Sequence, residues 1–67
     1  MDVKFPNVSV NLVGEDGNVF NLVALCSKAM RKSGISKEEI LSFQKAVMTS
    51  GSYNEALRIM MNTLNVE

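Results

Sequence analysis

Val8-Ser9-Val10-Asn11-Leu12-Val13-Gly14-Glu15-Asp16-Gly17-Asn18-Val19-Phe20 sets the fold class, because the hydrophobic period changes within it. From Val8 to Val13 apolar and polar residues alternate and β-branched side chains are prominent. That is the pattern of a half-buried strand with Val8, Val10 and Leu12 on one face. Pro6 just ahead suits a strand entrance, since proline donates nothing to a ladder. Gly14 to Asn18 then carries turn chemistry, and from Val19 onward the apolar spacing becomes helical.

Working outward, the first helix is expected over about 19–33, capped by Asn18 or Asp16 and stopped by Gly34. Val19, Leu22, Val23, Cys26 and Met30 make its apolar stripe, widened by Phe20, Leu25 and Ala29. Lys28, Arg31 and Lys32 in its last turns complement the helix dipole. A second helix starts at the capping box Ser36-Lys37-Glu38-Glu39, with Ile35 and Ile40 at staple spacing. It turns Ile40, Phe43 and Val47 inward, with Leu41 flanking, and ends at Ser50-Gly51. Ser52-Tyr53-Asn54-Glu55 repeats the start signal for a third helix, whose buried stripe is Ala56, Leu57, Met60, Met61 and Leu64. The alternating tail Leu64-Asn65-Val66-Glu67 is a candidate final strand beside the first. The expected fold is therefore α+β: an N-terminal strand, three amphipathic helices and a short C-terminal strand in one domain, residues 1–67.

At 67 residues the chain lies near the lower limit for folding unaided. Its 46% apolar content is nonetheless too high for a disordered segment. One cysteine excludes an internal disulfide, and the absence of histidine removes the usual zinc site. A single strand also needs a partner. The tail, the segment at residues 3–5, or the same strand of a second copy would serve, and a homodimer satisfies both needs.

Seven basic and seven acidic residues cancel, which argues against a nucleic-acid binder dominated by phosphate contacts. No run reaches the ~20 apolar residues of a membrane span, and the first residues lack a signal peptide's pattern. A cytoplasmic protein is expected.

The chemical motifs are sparse. Gly14 to Asn18 follows a strand and precedes a helix, but has neither the Lys-Ser/Thr of a P-loop nor the three glycines of a dinucleotide fingerprint. Asp16 and Asn18 lack the remaining ligands of a calcium loop. Cys26 has no histidine to activate it and falls on an apolar stripe. Glu38 and Glu39 are neighbours on a helix and diverge, unlike a hydrolase pair. The pattern predicts no enzyme, no metal and no cofactor. Lys28, Arg31 and Lys32, with Lys37 just beyond the turn, form one basic cluster and are the candidate partner- or ligand-binding residues. Read as a helix-turn-helix, the same region puts two glutamates where a recognition helix would enter a groove. The five methionines are read mainly as core filling, with an exposed methionine patch as the alternative.

The chain also resembles a family of small phage- and prophage-encoded proteins without assigned function. The resemblance rests on the strand ending in Leu12-Val13-Gly14, on Asp16-Gly17-Asn18-Val19-Phe20, on the basic helix end 30–34, on Lys37-Glu38-Glu39 and on Ser50 to Glu55. Ser52 and Asn54 stand where that pattern has aspartates, and Leu64 lies near a position where an aromatic residue is common. The resemblance implies an accessory protein acting in a bacterial cytosol, and brings no catalytic residues. The expected function is a non-enzymatic protein, homodimeric, that binds a host or phage protein. One alternative is a protein that binds or sequesters a small anionic, nucleotide-like ligand through the basic cluster and helix N-termini. Another is a weak nucleic-acid binder.

Overall fold

The computed structural model describes residues 3–12, 14 and 16–67; the expected strand end at Val13 and the turn position Glu15 lie outside them. The order is β1 (Phe5–Val10), α1 (Val19–Lys32), α2 (Lys37–Met48), α3 (Tyr53–Thr63) and β2 (Leu64–Val66), a single small α+β domain. Among the described residues the two strands form one sheet and run parallel. Parallel neighbours need a long crossover, and here the three helices together supply it.

Within the chain, the tail is the segment that pairs with β1. Phe5 stands opposite Leu64, Ser9 opposite Asn65 and Val10 opposite Val66, with an irregularity between Phe5 and Ser9. Pro6 explains the lapse: the strand begins before it rather than after it, and its missing N–H breaks the ladder. Beyond the lapse the pairing resumes, Glu67 donating to the Val10 carbonyl at 2.8 Å and Leu12 to the Glu67 carbonyl at 3.1 Å.

Period two aims Val8 and Val10 at the helices, where Leu22, Val23, Cys26, Met30, Ile40, Phe43, Val47, Ala56, Met60 and Leu64 complete the core. Each of the five elements contributes to it. Ser27, 1% exposed, is buried with them and accepts a hydrogen bond from Gln44 Nε2 at 2.8 Å. Met30 and Met60 fill the interior, while Met48 and Met61 stay exposed.

The helix ends follow from their capping residues. Asn18 caps α1 through its side-chain oxygen, which accepts from the Phe20 N–H at 2.8 Å. At the other end Gly34 takes a φ of +82°, so that Gly34 donates to Arg31 and Ile35 to Met30. This is a Schellman closure. Ser36 and Ser52 cap α2 and α3 by accepting from Glu39 and Glu55. The reciprocal halves of the expected capping boxes differ. The Glu39 carboxylate pairs with Lys4 at 2.7 Å, and Glu55 accepts from Gly51, one residue before the cap, at 2.9 Å.

Two stripe assignments, Phe20 and Met61, need correction, and the flanking Leu41 is also exposed. Phe20 is 65% exposed, and Leu41 and Met61 are each 52% exposed. At about 100° per residue Phe20 stands roughly a quarter-turn from Val19, outside the Leu22–Val23–Cys26–Met30 face. Met61 is offset in the same way from Met60, and Leu41 from Ile40.

Candidate functional site

The basic residues singled out above do not form one cluster. All four are exposed, and the fold divides them between two hollows. Lys28 and Lys32 are four apart and therefore share a face of α1. They line a groove of about 520 Å³ together with Leu25, Ala29 and Ser33 on the helical side and Asn7, Ser9, Val10 and Asn11 on the strand side. No residue of β2 lines it, so the groove follows the edge of β1 opposite the paired one. Arg31, about 100° around the helix from Lys32, lines a different hollow of about 350 Å³ with Lys37, Ile35, Ile40, Leu41 and Gln44.

The Lys28–Lys32 groove is polar on its strand wall and cationic on its helix wall. Alternation places Asn7, Ser9 and Asn11 on the side of β1 away from the core-facing valines. Ser9 Oγ is itself held, accepting from Asn65 Nδ2 of β2 at 3.2 Å. Neither lysine is in an ion pair among the described residues, where the salt bridge is Lys4–Glu39 at the opposite end of β1. Among the described residues no carboxylate lines the groove. Among the described residues its positive charge is met only by the partial negative charge at the C-terminus of α1.

Cys26 points the other way. It is fully buried, and burial pushes its thiol up to about 11. A thiol held in its neutral form is a poor nucleophile and a poor metal ligand. Among the described residues no three His, Cys, Asp or Glu side chains come together as a metal site, and no helix is long and apolar enough to cross a membrane.

The exposed apolar side chains gather in a second surface feature. Phe20, Met48 and Tyr53 converge on a hollow of about 280 Å³ where the start of α1 meets the end of α2 and the start of α3. Tyr53 also lines an adjacent apolar hollow of about 290 Å³ with Leu57, Met61 and Val66. Among the described residues, four of the five exposed large apolar side chains thus lie along one band. Tyr53 is anchored there by donating from its hydroxyl to the Gly17 carbonyl at 2.7 Å. The available signal is angular: Met48 and Met61 each sit one residue beyond a core position, and Phe20 one beyond the partly buried Val19.

No family model, curated protein or solved structure matches the chain.

Proposed function

We propose that the chain is a non-enzymatic accessory protein of the phage type that works in a bacterial cytosol by holding a small anionic, nucleotide-like ligand in the Lys28–Lys32 groove. The observation that carries this reading is the pairing of two lysines, in no ion pair among the described residues, with the open edge of β1 in a space of about 520 Å³ whose described lining holds no carboxylate. That volume falls within the range of small-molecule sites, roughly 300–1,000 Å³. Ammonium groups satisfy phosphate oxygens as point charges, while Asn7 beside them offers donors and an acceptor of the kind a base edge requires.

Isothermal titration against inorganic phosphate and a panel of mono- and dinucleotides at low salt tests this. Binding to at least one nucleotide is expected, weakening as salt is raised. Lys28→Glu with Lys32→Glu should reduce affinity about ten-fold or more, with the far-UV circular dichroism unchanged. Silence across the whole panel, or binding indifferent to the double charge reversal, would overturn the proposal.

The second reading is a homodimer that binds a host or phage protein, and the Phe20–Met48–Tyr53–Met61 band favours it. Contiguous exposed apolar surface on a small chain marks an interaction face. Light scattering after size exclusion should show a dimer that Phe20→Ser with Tyr53→Ser converts to monomer; a monomeric parent chain argues against it. Weak nucleic-acid binding fits less well, because a phosphate backbone needs its cations on one face and these four point in two directions.

A further inference from the structure

The second basic pair, Arg31 and Lys37, has no role in the groove reading, and its surroundings differ in kind. The hollow they line is floored by Ile35, Ile40 and Leu41 and lies across the Gly34 turn between α1 and α2. Leu41 is 52% exposed there, and Gln44 at its edge is fixed by its hydrogen bond to the buried Ser27. Lys37 is the first residue of α2. A cation at that end opposes the helix dipole, so helix stability does not account for its position. Among the described residues no carboxylate lines the hollow. Glu38 lies outside the lining, and Glu39 is engaged by Lys4 at 2.7 Å.

An apolar floor between two cations that form no ion pair among the described residues calls for an occupant with the inverse pattern. We infer that this hollow docks a short acidic segment of a partner protein, placing one large apolar side chain on Ile35, Ile40 and Leu41 and flanking carboxylates on Arg31 and Lys37. The volume of about 350 Å³ suits a side-chain anchor rather than a whole helix face. Charge complementarity selects the partner. A second copy meeting this face across a two-fold axis would set Arg31 and Lys37 against their own equivalents, and like charges in contact oppose association. Arg31 adds geometric selectivity, since its planar guanidinium grips a carboxylate in two-pronged fashion.

The inference does not depend on the nucleotide reading, and the test separates them. Fluorescence anisotropy is measured with a labelled twelve-residue peptide carrying one Phe between Glu residues, and with its Glu→Gln counterpart. The acidic peptide should bind, and the Gln peptide should bind about ten-fold more weakly or worse. Arg31→Glu with Lys37→Glu, and separately Leu41→Ser, should each cause a similar loss, while Lys28→Glu with Lys32→Glu leaves binding intact. All these positions are exposed except Ile35 and Ile40, which are left untouched. Equal binding of the two peptides overturns the inference, as does no binding of either. Loss caused by the Lys28/Lys32 reversal would move the site to the groove and also overturn it. A change in sedimentation equilibrium with Arg31→Glu and Lys37→Glu would make the occupant a second copy instead.

Discussion

Removing the Ser27 hydroxyl and the Gln44 amide, singly and together, probes the only polar contact buried between α1 and α2 among the hydrogen bonds described. The bond spans 2.8 Å and seventeen residues, with Ser27 1% exposed and Gln44 half-buried. In Ser27→Ala the amide loses its acceptor but turns to water, so the cost stays near that of one net hydrogen bond, about 1 kcal/mol. In Gln44→Leu the hydroxyl stays inside without its partner, a loss of roughly 1–3 kcal/mol. Back-bonding to the carbonyl four residues earlier draws this toward the lower end. The double variant leaves neither group unsatisfied and should cost less than about 1 kcal/mol, because replacing both partners with apolar groups is close to neutral. The singles therefore fail to add by about 1–2 kcal/mol. Against a total stability of roughly 3–10 kcal/mol for a chain of this length, each single is large enough to lower the melting temperature by about 4–8 °C per kcal/mol. Urea titrations followed by far-UV circular dichroism, at one fixed protein concentration so that self-association does not intrude, give the four free energies. Additivity within about 0.5 kcal/mol would refute the reasoning and mean that the bond contributes nothing to the α1–α2 register.

Two further outcomes follow from single residues. Burial raises the Cys26 thiol from 9.0 to about 11, so the native state resists its ionisation more than the unfolded chain does. Stability is therefore full below about pH 9 and declines as pH rises toward 11; Cys26→Ala should flatten that slope in urea titrations at pH 8 to about 11, and an unaltered slope would assign it to other groups. Gly34→Ala meets no atom within 4 Å but must hold a φ of +82°, so it should cost about 1–2 kcal/mol for backbone strain alone. Gly34→Asn should cost less, and a neutral Gly34→Ala in thermal melts would remove the Schellman closure as the stop of α1.

The elements were readable because each carries a local instruction. Asn18, Ser36 and Ser52 all cap as their sequence context requires, and Gly34 stops α1 through the one conformation that favours glycine there. What depended on the third dimension was less legible. That the tail is the partner of β1, and parallel to it, depends on where three helices deliver residue 64, which no local pattern encodes. The start of β1 was missed because Pro6 tolerates a strand with an interrupted ladder as readily as it precedes one. Ser27 was overlooked as a core residue because a serine reads as surface until Gln44, seventeen positions away, satisfies it.

The basic cluster shows the same limit more sharply, and its resolution bears on function. In the sequence Lys28, Arg31, Lys32 and Lys37 lie within ten positions and read as one charged region. On the helix, Arg31 stands a quarter-turn from Lys32, and the Gly34 turn then lays α2 on the Arg31 side, where Lys37 joins it. Lys28 and Lys32 remain facing the open edge of β1. A single anion-binding patch would have concentrated its field, whereas two separated pairs in different company, one polar and one apolar, favour two different ligands. The charge-reversal pairs are for this reason independent instruments: a protein that loses nucleotide binding with Lys28→Glu and Lys32→Glu yet keeps peptide binding has two sites. If either reversal removes both activities, the fold has one site and the division seen in the geometry carries no functional meaning.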